Sequence, residues 1–263
     1  MTSKIAIVEL NGDVQESLER ALKLVGGIDD LNTTERSVVI KPGIFDHRKK
    51  KHPTVSVVKA IIDSFNRAPE IFMVESDNYR GTGLERLQVY KEVFTKRVVP
   101  LNLSDDMNTR DVKIADEKMD FSHVLFKPNV FVSTHALRRY DKGTILKNLF
   151  GLIPERKKVR FHKKLVTVLL DTYEAIGGVD LAVLDATYTH LGTRAINTNV
   201  LVVGRDAVAV ETVGALLVGL NPDKMPVIQE AMNRSLGEGD IEKIEVLGNS
   251  IESLLKEKFR AVR

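Results

Sequence analysis

The chain has 263 residues, 43% hydrophobic and 29% charged, with 39 Lys and Arg against 36 Asp and Glu for a formal net charge of +3. This mixture supports a sizeable core under a charged surface and excludes global disorder. The absence of Cys excludes disulfides, thiol nucleophiles and iron–sulfur clusters ligated by the protein's own cysteines, and the low aromatic content (6%, no Trp) weighs against nucleic-acid binding by base stacking.

Strand-length apolar runs alternate with segments of helical period, which predicts an α/β fold with a mainly parallel sheet covered by helices. A strand at residues 4–10 leads to an amphipathic helix at 14–25, whose Leu18, Ala21, Leu22 and Val25 share one face before Gly26-Gly27 ends it. A strand at 37–41, a basic loop, a helix at 54–67 opened by Pro53, and a strand at 71–75 follow. Gly81 and Gly83 punctuate a loop before a helix at 84–95 and a strand at 98–101. The order then loosens, with strands expected at 111–114, 123–126 and 130–133, leaving room for a less regular subdomain within 102–158. A helix at 159–176, strands at 181–184 and 200–203, helices at 206–218 and 225–234, and a strand and helix at 244–247 and 250–259 complete the pattern. With no fixed-period repeat and no low-complexity linker, residues 1–263 read as one domain. The first ten residues, MTSKIAIVEL, read as a strand rather than a leader, so a cytoplasmic location is expected. The apolar stretch at 207–220 contains Glu211 and is too short to span a bilayer, so no membrane role is expected.

Ligands of open α/β sheets collect beyond the carboxyl ends of the strands, so polar residues that follow apolar runs are the candidates. Lys41-Pro42-Gly43 ends one strand, and His52 stands at a helix start, where free N–H groups favour an anion. The plain alternative is a solvated loop of Arg48, Lys49, Lys50 and Lys51 with His52 as a cap. Glu75, before Ser76-Asp77-Asn78, is a candidate general base or metal ligand, or else a turn carboxylate. Ser133-Thr134-His135 precedes Arg138, Arg139 and Lys142, and Lys147-Asn148 sits on an apolar support of Ile145, Leu146, Leu149 and Phe150. His162 shares a helical face with Leu165, Val166 and Leu169 and reads as a structural histidine within the basic run 156–164. Asp185 closes a very apolar strand, with His190 and Gly192 in the loop expected after it; a turn-capping role is the alternative. Asp206 reads as an N-cap, and Glu211 needs a basic partner, a metal or water to offset its burial. Phosphate-loop, nucleophile-elbow, paired-histidine zinc and dinucleotide glycine patterns are all missing.

Taken in order, Ile40-Lys41-Pro42, His52-Pro53, Val74-Glu75-Ser76, Thr134-His135, Leu146-Lys147-Asn148-Leu149-Phe150-Gly151, His162, Asp185 and Gly204-Arg205-Asp206-Ala207-Val208-Ala209-Val210 resemble the family called domain of unknown function 362, over about residues 38–247. The Lys-Asn-Leu-Phe-Gly segment is the most specific of these pieces. The chain departs from the family pattern at Gly43, where Asn is usual, at Glu211, where Asp is usual, and in residues 186–192, which lack an acidic Gly-Pro loop. The resemblance also implies an association with iron–sulfur modules, which a Cys-free chain would meet only through a redox partner.

The expectation is an enzyme that binds a small anionic metabolite through Lys41, His52, Lys147 and Asn148, with His135, Glu75 and Asp185 as catalytic groups. His135 is the expected proton carrier near neutral pH, and Glu75 with Asp185 are the expected ligands of Mg²⁺ or Mn²⁺. An accessory protein that binds an anion or a redox partner is the alternative. RNA binding ranks last, and the oligomeric state is open.

Overall fold

Strands apolar on both faces belong inside a sheet covered on both sides, and β-branched residues dominate them. The computed structural model describes residues 2–49 and 51–260, so Lys50 lies outside the described residues. The strands are β1 (Ser3–Glu9), β2 (Val38–Pro42), β3 (Ile71–Glu75), β4 (Val98–Asn102), β5 (Thr109–Ile114), β6 (Glu117–Ser122), β7 (Val130–Arg138), β8 (Leu181–Leu191), β9 (Arg194–Gly204) and β10 (Ile244–Gly248). The helices are α1 (Val14–Leu24), α2 (Val55–Ser64), α3 (Gly83–Leu87), α4 (Ile145–Asn148), α5 (Leu165–Ala175), α6 (Ala207–Leu217), α7 (Pro226–Asn233) and α8 (Ile251–Glu257). Eight strands form one sheet in the order β10-β1-β9-β8-β7-β2-β3-β4, and β5 pairs with β6 in a separate ribbon. Only β9 runs against its neighbours; every other pairing in the large sheet is parallel. The α/β expectation holds.

One face of the sheet packs Val39, Phe131, Leu184 and Val202 against α4, α5, α6 and α7. The other packs Ile40, Met73, Val132 and Val183 against α1 and α2. The β5–β6 ribbon shares the first core through Ile114, Met119 and Phe121 and so is not a separate hydrophobic unit.

Several elements differ from expectation. Residues 123–125 form a 3₁₀ turn, and the partner of β5 is β6, where buried Met119 and Phe121 alternate with exposed Lys118 and Asp120. The helix at 84–95 splits into α3 and a 3₁₀ stretch, Gln88–Val93, and the helix at 159–176 begins as the 3₁₀ stretch Lys158–Lys164. The expected loop after Asp185 is a strand. β8 runs on to Leu191 and pairs antiparallel with β9, so the polar residues of 187–197 read as a loop but are held by cross-strand bonds.

Asp206 caps α6 as expected, accepting from Val208 N at 2.9 Å and Ala209 N at 3.1 Å, and also receives Ser3 Oγ at 2.6 Å and Glu238 N at 2.8 Å. One carboxylate thus ties α6 to β1 and to the loop before β10. Asp206→Ala is expected to lower the unfolding free energy by about 2 kcal/mol, at the upper end for caps, as a fall in urea midpoint at unchanged m-value.

Candidate active site at the carboxyl edge

Along the edge where β2 and β3 end, the parallel strands β2, β3, β7 and β8 bring up Lys41, Glu75, His135 and Asp185, all buried, while β7 and β8 run on beyond it. Glu75 is the centre of the densest polar network. Its Oε2 takes Lys41 Nζ at 2.9 Å and Arg86 Nη1 at 3.1 Å, and its Oε1 takes Ser76 N at 3.1 Å. Burial alone would raise the Glu75 pKa, but attraction from Lys41, Arg86 and Lys158 outweighs it and holds the carboxyl below its ordinary range. Lys41 spends its remaining hydrogens on Pro42 O at 2.9 Å and Asn148 Oδ1 at 3.1 Å. Three acceptors around one nitrogen require the ammonium form.

The Lys-Asn-Leu-Phe-Gly segment closes this network. Asn148 Nδ2 donates to Lys41 O at 2.8 Å, Ser133 Oγ at 3.1 Å and Thr134 O at 3.3 Å, so one amide staples α4 to both β2 and β7. Gly151 lies on the ion pair itself: a Cβ there would stand 2.6 Å from Lys41 Cε and 2.7 Å from Glu75 Oε1. Ser76 Oγ donates to Gly151 O at 2.6 Å and receives Lys158 Nζ. Lys41, Glu75 and Asn148 therefore come together, but to hold the edge closed.

Asp185 plays a parallel role on β8. Its Oδ2 accepts from Thr54 N at 2.6 Å and Thr54 Oγ1 at 2.8 Å, and its Oδ1 accepts from Thr187 N at 2.8 Å. The anion at the start of α2 is thus the protein's own carboxylate. His52 turns Nδ1 to Pro53 O at 2.9 Å and sets its ring edge-to-face on Tyr90 at 5.7 Å. Glu211 forms no salt bridge among the described residues: its two oxygens each stand 2.8 Å from Thr144 N, and Oε2 takes Leu146 N at 2.9 Å, which caps the turn into α4. Burial still raises its pKa, with those backbone donors working against the rise.

His135 points Nδ1 at Ala136 O, 2.8 Å away, so that nitrogen carries the proton and Nε2 the lone pair. Burial, then the nearby Arg138, pushes the His135 pKa well below 6.5, so the ring is neutral at pH 7. Burial and Arg138 thus work against the charged imidazole expected near neutral pH. Gly43 explains its placement. A Cβ at 43 would lie 1.8 Å from His135 Cδ2, so a chain with Asn at this position must hold its imidazole elsewhere.

Of the four expected anion holders, Lys147 alone forms no hydrogen bond or salt bridge among the described residues. Its ammonium rests on the Phe150 ring, 3.8 Å from the centroid. Burial, followed by repulsion from Arg138, Lys158, Lys41 and Lys142, pulls its pKa down to about 7. Lys158 is also brought to about 7, by burial first. His162, expected on an apolar helix face, is instead exposed and tilted over Phe150 with ring centroids 5.5 Å apart. Arg138 Nε, Thr134 Oγ1, Thr187 Oγ1 and His190 Nδ1 are buried on β7 and β8 without partners.

Arg86 and Gly151 were missed as parts of this centre. Arg86 lies one helical turn before buried Tyr90, so a charge on the inner face of α3 was the available signal. The expected metal ligands Glu75 and Asp185 fall in separate networks with their oxygens taken. Among the described residues no group of three or more His, Asp or Glu stands at metal-ligating spacing. With the Glu75 and Asp185 oxygens already accepting from Lys41, Arg86, Ser76, Thr54 and Thr187, the donor set does not fit a divalent ion. Two open hollows, one near Glu238 and Glu242 and one between Leu22 and Ser64, are lined by residues at the other, amino edge of the sheet.

Glu75→Gln leaves Lys41 and Arg86 buried against a neutral group and is expected to cost about 3–5 kcal/mol in urea unfolding. Gly151→Ala is expected to cost about 1–3 kcal/mol through overpacking. Lys147→Met, which removes a repelled cation, should lower stability by no more than about 0.5 kcal/mol.

Comparison with known proteins places this edge in context. A family model described as Domain of unknown function (DUF362) matches residues 38–216, which takes in β2 through α6 and every residue of the network above. No curated protein matches the chain. With more than half of its length matched, and with the buried Lys41–Glu75–Asn148 centre inside the match, the chain belongs to the DUF362 family.

Proposed function

We propose that the protein is an enzyme acting on a small anionic metabolite, whose acidic group docks on Lys147 among Arg138, Lys142, Lys158 and His162. One observation carries this reading: Lys147 is pressed on by cations, while the nearby carboxylates are committed elsewhere. A half-buried cation without a counter-charge carries a desolvation cost, and a bound anion lowers that cost. Arg138 Nε, buried and without a partner, offers a further donor to the same anion.

In this reading His135 is the proton acceptor, because its neutral Nε2 is available while Nδ1 is fixed on Ala136 O. Lys147, with a pKa of about 7, holds comparable amounts of amine and ammonium at neutral pH and so serves either as anion holder or as proton donor. Glu75 and Asp185 act as positioning residues that fix the strand ends and α2. A second reading, an accessory protein that binds the anion or a redox partner without turnover, draws on the same commitment of both carboxylates to structure. His135→Gln separates the two: an enzyme keeps its ligand and loses turnover, whereas a binding protein has no turnover to lose.

The first test is a thermal-shift panel of phosphorylated and carboxylated metabolites. Wild type is expected to rise in Tm with at least one class, and Lys147→Met to show no rise while staying folded. No rise for wild type across the panel would remove the anion reading.

A pH dependence follows from the same lysine. Its folded pKa of about 7 lies below the ordinary 10.5, so between these values the unfolded chain binds more protons and stability rises with pH. Lys147→Met should flatten part of that rise in urea midpoints taken from pH 7 to 10, with Lys158 and Lys41, both also lowered by burial, contributing to the remainder. Anion binding at pH 8 should take up protons, seen as a binding enthalpy that changes with the ionisation enthalpy of the buffer.

A further inference from the structure

Two loops overhang the carboxyl edge beside Lys158, one after β2 and one after β3. They carry Phe45 and Tyr79, the two most exposed aromatic side chains among the described residues, at 51% and 67% of their surface. The rings meet edge-to-face, 5.6 Å apart and inclined at 71°. Arg80 lays its guanidinium on the Tyr79 ring, 4.8 Å from the centroid. An exposed aromatic pair backed by an arginine offers a ring face and a ring edge to a flat ligand.

The platform is built rather than loose. Asn78 Nδ2 donates to Phe45 O at 3.2 Å, Arg80 N to Asn78 Oδ1 at 2.7 Å, and Arg48 Nη2 to Arg80 O at 3.3 Å, so the two loops are clasped to each other. Arg48 N also bonds buried Asp46 at 3.1 Å. The strand end beneath is bolted to the cationic site, since Ser76 receives Lys158 Nζ and lies three residues before Tyr79. Three residues span at most about 10 Å, the scale of the separation between the base and the phosphate of a nucleotide.

We infer that the ligand of the carboxyl edge is a nucleoside phosphate or a like anion bearing a flat aromatic ring, its ring stacked on one member of the Phe45–Tyr79 pair and met edge-on by the other, and its anionic group on the Lys147–Lys158 cations. The inference rests on the anion reading above and adds the second half of the ligand. It needs no glycine-rich phosphate loop, because side chains supply the charge. The low aromatic content of the chain argues against an extended stacking surface; a single clasped pair is enough for one ring.

The test compares AMP with ribose 5-phosphate, which share the phosphate and differ by the base, by titration calorimetry on wild type, Phe45→Ala, Tyr79→Ala and Tyr79→Phe. Wild type is expected to bind AMP about tenfold more tightly, the fold-change equivalent of stacking one base. Phe45→Ala and Tyr79→Ala should each shrink that preference while leaving ribose 5-phosphate affinity and Tm unchanged, and Tyr79→Phe should keep it. Equal affinity for the two probes in wild type overturns the stacking inference and leaves the anion reading standing. Binding of simple carboxylates with neither sugar phosphate bound overturns it as well. Silence toward every anion overturns both.

Discussion

The carboxylate of Glu75 is the group on which the closed edge of the sheet depends. It is buried where β2, β3, α3 and the segment after α4 converge, and it reconciles two cations that would otherwise repel, Lys41 and Arg86. Each of those cations has further duties. Lys41 holds Asn148, Asn148 holds the ends of β2 and β7, and Arg86 donates to Ile44 O and Ser76 O at the roots of the two overhanging loops. A buried ion pair is not by itself a gain over apolar packing, but once four elements share it, loss of one member leaves several charges and carbonyls unanswered.

Around that centre the protein answers its helix starts with its own anions. Asp185 sits at the start of α2, Glu211 at α4 and Asp206 at α6. Positions that would attract a phosphate or carboxylate from solution are filled internally, so these helix starts are poor candidates for ligand sites. What remains is an excess of side-chain cations near Lys147, set against Phe150 and His162 rather than against acids. The proposed anion site thereby lies on the short helix and turn laid across the strand tips rather than on the tips themselves.

Much of the sheet was legible because both faces are buried, and uninterrupted runs such as Val38-Val39-Ile40 and Leu181-Ala182-Val183-Leu184 have few other uses. The second half of β8 was not, since Tyr188, Thr189 and His190 take their order from β9 across the hairpin rather than from burial on two faces. α4 was invisible for another reason: four residues are too few to show a helical period, and their conformation is held by Glu211 of α6 at one end and by the bonds of Asn148 to β2 and β7 at the other. At the edge, residue type marked Lys41, Glu75, Asp185 and Asn148 as notable. Type alone says nothing of whether a polar group is spent inside the protein or left for a ligand, because partners such as Arg86 and Thr54 are set by tertiary contact.

The bonds that assemble this edge join residues far apart along the chain: 34 positions separate Lys41 from Glu75, 107 separate it from Asn148, and 131 lie between Thr54 and Asp185. Closing such loops costs entropy before any bond repays it, and folds dominated by distant pairings are slow to form. An early fragment carries Lys41, Glu75 and Arg86 but lacks Asn148, Gly151 and Asp185, which complete the edge. A growing polypeptide that has made β2, β3 and α2 exposes a buried-type lysine, a buried-type glutamate and a bare helix start until β7, α4 and β8 arrive. The architecture makes the carboxyl edge one of the last parts of the molecule to mature, and ties its existence to completion of nearly the whole sheet.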